Sequence, residues 1–219
     1  MAIPRLRDYT GPALLSYGFR PFFLLGSAYA GLSILFWIPA YMGHIETFSA
    51  FAPVDWHIHE MLFGYLTAII TGFLLTAIPN WTGRLPVLGL PLMGLMLIWI
   101  AGRFAVFFSA SIGWQLAAAI DCAFLAAVAL AAAREIVAGK NWRNLKVLIP
   151  VALLLAANIC FHIEAQAQGL SDISRRLGMA AALMLIMIIG GRIIPSFTRN
   201  WLVRQNPGRL PIPFNRFDG

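Results

Sequence analysis

Charge is scarce in this chain: Lys, Arg, Asp and Glu together make 11% of 219 residues, where a soluble domain carries about 25%. So few charges cannot cover a water-facing surface, which argues against an ordinary soluble enzyme. Cysteine is equally sparse. Cys122 and Cys160 both stand inside apolar runs and form no CxxC pair, so they read as buried thiols that leave the redox compartment open. Missing too are a Walker loop, a GxSxG elbow, an HExxH zinc helix and a pair of catalytic carboxylates, and no catalytic residue is assigned. The first ten residues carry Arg5 and Arg7 but lack the short apolar core and small-residue cleavage site of a secretory signal. The first apolar run is therefore expected to be retained. The net charge of +7 does not point to nucleic acid, because the bases stand between apolar runs with no basic face or recognition motif.

What is abundant is apolar length. Hydrophobic residues make 60% of the chain, and the mean hydropathy is +0.77. A spanning helix needs about 20 mostly apolar residues, and six runs qualify: 21–42, 57–78, 87–108, 113–134, 146–167 and 177–197. The expected fold is an all-α, polytopic membrane bundle of six transmembrane helices. With the N-terminus on one side, thirteen of the sixteen Lys and Arg fall on that side, so the positive-inside rule orients the chain N-in, C-in. The expected organisation is a cytoplasmic segment over 1–20, the bundle over 21–197, and a basic cytoplasmic segment over 198–219. Gly64, Ala68 and Gly72 repeat every fourth residue and permit close backbone approach. The alanine-rich fourth run is expected to pack against neighbours, and Gly190-Gly191 suggests a further close crossing. His44-Ile45-Glu46 and His162-Ile163-Glu164 are alike, as are Ile78-Pro79 and Ile194-Pro195. Chance similarity or a four-helix repeat would explain both pairs.

Ionisable groups inside such runs are expensive and need an explanation. Trp56-His57-Ile58-His59-Glu60 opens the second run at its outer end. Arg103 falls in the outer part of the third, and Asp121 lies about 12 Å inside the fourth at about 1.5 Å per residue. Asn158 and His162 stand toward the outer end of the fifth. Polar groups on four helices thus share the outer half of the bilayer, which is the main sign of a site. Helical phase separates the two histidines of the second run by about 200°. His57 shares its stripe with Glu60, Gly64, Ala68 and Gly72, so it is expected to point inward. His59 shares its stripe with Phe63, Leu66, Ile70 and Phe73, which alone would face lipid; a second bundle packed on that face would reverse the ranking. Asn158 and His162 are four apart on one face, where an amide can orient a metal-ligating imidazole or simply bond across helices. Arg103 can pair with Glu60 or Asp121, or neutralise the carboxylate of a bound porphyrin. The histidine count suffices for a haem ligand pair or part of a copper site, but not comfortably for both.

Several blocks together resemble the NnrS family. They are Ser16-Tyr17-Gly18-Phe19-Arg20-Pro21-Phe22-Phe23, Trp56 to Gly64, Gly72 to Gly83, Gly102-Arg103, Gly191 to Asn200, and the closing Pro213-Phe214-Asn215. The resemblance runs from residue 16 to the end. It implies a multi-pass protein of the bacterial inner membrane, linked to nitric oxide metabolism and nitrosative stress and binding haem and copper, with nitric oxide as a ligand. It maps the family's motif histidines onto His57 and His59, with His162 as the further embedded candidate. Members of that family are typically longer, so the resemblance also implies a first half, completed by a second half or by an oligomeric partner. The competing expectation is a secondary transporter or ion-coupled permease that uses Glu60, Arg103 and Asp121. Against it, no Gly/Pro break falls at mid-depth in two corresponding helices. A purely structural subunit, with the polar residues as interhelical glue, is the third alternative.

Overall fold

In hydrocarbon every backbone N–H and C=O must be satisfied within the segment that crosses, which leaves the helix as the form open to these apolar runs. The computed structural model describes residues 9–205 and 208–211, so the Pro213-Phe214-Asn215 block lies outside the described residues. Six helices are long and apolar enough to span a membrane: α1 (Phe19–Tyr41), α2 (Pro53–Thr82), α3 (Leu90–Phe107), α4 (Trp114–Ala138), α5 (Trp142–Gln168) and α6 (Asp172–Val203). No strand occurs among the described residues. The chain is a helical membrane bundle.

Local chemistry sets several ends. Pro53 stands in the first turn of α2, where a missing N–H costs nothing. Gly83 at φ 68° and Gly169 at φ 73° terminate α2 and α5 in the left-handed conformation. The start of α6 is capped from another helix. The Glu164 carboxylate accepts the backbone N–H groups of Asp172 (3.1 Å), Ile173 (2.9 Å) and Ser174 (2.8 Å), the orphan donors of a helix N-terminus. Two boundaries differ from expectation. The second span begins at Pro53 rather than 57, and the sixth runs on to Val203 rather than ending at 197.

The second helix is the hub. It touches α1, α3, α4, α5 and α6. On one side, Phe22, Ala68, Leu75, Leu92, Trp99 and Phe124 form a core shared with α1, α3 and α4. On the other, Phe63, Leu74, Ile78, Leu125, Leu154, Phe161 and Leu185 form a core shared with α4, α5 and α6. The small-residue stripe faces α1: a methyl added at Gly72 would meet the Phe23 ring at 2.8 Å. The alanine-rich α4 packs against α2, α3 and α5.

Two expectations are corrected. A methyl added at Gly190 would meet only Ile194 of its own helix, so no close crossing forms there. The repeat fails because its matched residues have different settings. His44 is exposed in the loop after α1, whereas His162 is buried inside α5.

Candidate functional site

The site begins with an irregularity in α2. Residues Glu60–Tyr65 form a π turn, in which the Leu66 N–H reaches back to the Met61 carbonyl. Such a turn holds one residue more than an α turn, so everything before it is rotated by roughly 100° relative to a regular helix. The carbonyls it displaces find other donors. Trp99 Nε1 donates to the Gly64 carbonyl at 3.0 Å, and the Thr67 hydroxyl donates to that of Phe63 at 2.5 Å.

This turn corrects the expected ranking of the histidines. His59, not His57, is the interior one, with 0% of its surface exposed. Regular phase groups His59 with Phe63 and Leu66, but the extra residue swings it toward the Gly64 face. The bulky face is not lipid-exposed in any case, because Phe63 lies against Phe161 of α5 and against Gly178 of α6. The covering layer therefore comes from this chain's own last two helices. His57 is only partly buried; its ring stacks on Trp37 with centroids 4.2 Å apart, and its Nδ1 is buried with no hydrogen-bond partner among the described residues.

Around His59 the buried polar groups form a single network. Its Nδ1 is 3.0 Å from Glu60 Oε1. Its Nε2 is 2.9 Å from Asn158 Oδ1 and 3.2 Å from Asp121 Oδ2. The amide of Asn158 donates to Asp121 Oδ2 at 2.7 Å, and His162 Nε2 is 3.2 Å from that same oxygen. Arg103 donates to Glu60 Oε2 at 2.5 Å and also to Asp121 Oδ1, bridging the two carboxylates. Gly64 makes room for this bridge: a methyl there would meet the Arg103 guanidinium and would lie 2.8 Å from Glu60 Oε2.

Six sequence-predicted residues, His59, Glu60, Arg103, Asp121, Asn158 and His162, are thus brought together, and His57 stands apart. The expected role of Arg103 against a porphyrin carboxylate is replaced, since both its terminal nitrogens are held by Glu60 and Asp121. Asn158 does not orient His162 either; it links His59 to Asp121. One member escapes sequence reasoning. Tyr29 of α1 donates its hydroxyl to Glu60, and its only signal is a lone phenol in the middle of an apolar run.

The donor arrangement has a chemical consequence. Both ring nitrogens of His59 face oxygen acceptors, so either both carry protons or a cation takes the place of one. His59, Asp121 and His162 offer ligand atoms that all lie within 4.8 Å of one another, each residue buried. Two imidazoles and a carboxylate suit copper, iron or zinc. His162 also lines a cleft of about 400 Å³ between α4 and α5, with Cys122 on its wall. The larger cleft of about 660 Å³ lies at the other end of the bundle, where Arg84 donates to Glu135 at 2.7 Å, away from this network.

The transporter reading draws on the same Glu60, Arg103 and Asp121. Apart from the π turn, α2 stays helical through its length, and none of the six spans is unwound at mid-depth.

The family model described as NnrS protein matches residues 13–218. No curated protein and no solved structure matches the chain.

Proposed function

The chain belongs to the NnrS family, and from that premise we propose that it is a bacterial inner-membrane metalloprotein of nitric oxide metabolism and the nitrosative-stress response. Its metal ion is held by His59, Asp121 and His162. The convergence of two imidazoles and a carboxylate from α2, α4 and α5 inside a water-free core carries this reading. The excess of Lys and Arg at the opposite end puts the site toward the outer face, with the chain N-in, C-in.

Copper fits this donor set, and iron fits it as well. An ion bound there supplies a redox-active centre at which nitric oxide can ligate. The protein's own groups do the rest. Glu60 accepts the Nδ1 proton of His59 and so presents Nε2 to the ion. Arg103 offsets the charge of both carboxylates. Phe51, Phe63 and Phe161 surround His59 with ring centroids 5.1 to 5.3 Å away and exclude water. The α4–α5 cleft at His162 gives a small apolar gas a route in from the lipid.

Haem does not fit this cluster, because those same aromatic rings leave no slot for a macrocycle. Any haem this chain holds, alone or with a second half or oligomeric partner, would be met by His57, the histidine outside the network.

The test is metal analysis and optical spectroscopy of the purified full chain from cells grown with copper, iron and haem. About one equivalent of copper or iron is expected, lost in His59→Ala and in His162→Ala. A metal-free protein, or metal that both substitutions leave in place, would overturn the site. A Soret band that falls with His57→Ala but survives His59→Ala would put haem at His57. Substrate uptake into vesicles, abolished by Glu60→Gln with no metal bound, would instead favour the transporter.

A further inference from the structure

A second site is built between α1 and α3. There a cleft of about 370 Å³ is lined by Phe36, Trp56, Trp99 and Phe107, with Ser33 and Arg103 as polar members. Its volume falls within the ~300–1,000 Å³ range of small-molecule pockets. Leu32 and Phe104 on its margin are exposed. On spanning helices that exposure means contact with acyl chains, so the cleft is reached from the bilayer rather than from water.

Two of its wall residues carry an N–H that is buried and has no acceptor among the described residues: Nε of Arg103 and Nε1 of Trp56. Their side chains are deeply buried, at 6% and 2% exposure. Buried donors are almost always paired, and a buried indole usually finds a partner. Two unpaired donors in residues lining one cleft call for an acceptor brought by an occupant. That occupant must be lipophilic, because of the walls and the opening. It must also be uncharged at its acceptor, because Glu60 and Asp121 already offset the guanidinium and leave no surplus positive charge for a carboxylate or phosphate. The aromatic walls favour a ring.

We infer that the α1–α3 cleft binds the head group of a lipid-soluble quinone. A ring carbonyl accepts from Arg103 Nε and Trp56 Nε1, and the tail leaves past Leu32 and Phe104. This binding does not depend on the metal at His59, Asp121 and His162.

Calorimetric titration of decylubiquinone into the full chain in phosphatidylcholine nanodiscs tests it. Saturable binding is expected. Ile100→Trp, which fills the cleft, should weaken it by more than about tenfold. Trp56→Phe keeps the ring but removes the N–H, and should weaken it about fivefold. Metal content should be unchanged in both variants, so a failure here is distinct from a failure of the metal site. If Ile100→Trp does not fold, Trp56→Phe carries the test alone. Absence of saturable binding, or binding that Trp56→Phe leaves intact, would overturn the proposal. Equal competition by decanoate or lysophosphatidylcholine would also overturn it, by assigning the cleft to lipid.

Discussion

The two halves of α2 satisfy their polar groups by opposite means. From Leu66 to Thr82 the helix looks after itself. The hydroxyls of Thr71, Thr76 and Thr82 return to the carbonyls of Thr67, Gly72 and Ile78 at 2.7 to 2.8 Å, one turn back in the same helix. In the half that holds the π turn, Glu60 and His59 complete their bonds on α1, α3, α4 and α5. The first kind of bond survives whatever the neighbours do. The second exists only when five helices are correctly placed, so each member's loss strands several others.

The contrast is broken most directly at Asp121. Asp121→Ala deprives Arg103, His59, Asn158 and His162 of their shared acceptor, and should cost about 3–5 kcal/mol, the usual penalty for an uncompensated buried charge. Thermal or SDS-driven loss of helical circular dichroism reads this; a cost below about 1 kcal/mol would mean that the two halves do not differ. Gly64→Ala comes next, at about 1–3 kcal/mol of overpacking, since the new methyl meets the Arg103–Glu60 bridge. Gly31→Ala is its control, because a methyl there meets nothing within 4 Å; equal melting shifts in the two variants would refute the steric account. Tyr29→Phe keeps the edge contact with Trp99, at 5.6 Å between centroids, and removes one donor from Glu60. It should cost about 1–2 kcal/mol. Smallest of all should be Thr76→Val in the self-contained half, near the ~0.6 kcal/mol typical of membrane side-chain hydrogen bonds. A larger loss at Thr76 than at Tyr29 would invert the comparison.

The same contrast decides what can be read from the sequence. Six spans are legible because apolar length alone sets them, and the positions of Arg103, Asp121, Asn158 and His162 are legible because polar groups stand out in apolar runs. The choice between His57 and His59 is not. It depends on a backbone register that apolar periodicity cannot report when both faces of α2 are apolar, and on α5 and α6 folding back over Phe63. Tyr29 is hidden for a related reason, since a phenol among apolar residues looks the same whether it faces lipid or a carboxylate. The late end of α6 at Val203 is illegible too, because Arg192 and Arg199 interrupt the hydropathy without breaking the helix.

Arg103 and Asp121 lie on successive helices joined by the short stretch 108–113, and they pair directly across that hairpin. This bears on how the protein is made. A lone Arg or Asp at the centre of a spanning segment opposes translocon-mediated insertion by about 2.5–3.5 kcal/mol. When α3 and α4 partition together, each charge carries its counterion with it and the hairpin enters the bilayer as a nearly neutral unit. The ion pair at the heart of the network thus also serves biogenesis, before Glu60 or His59 has been engaged.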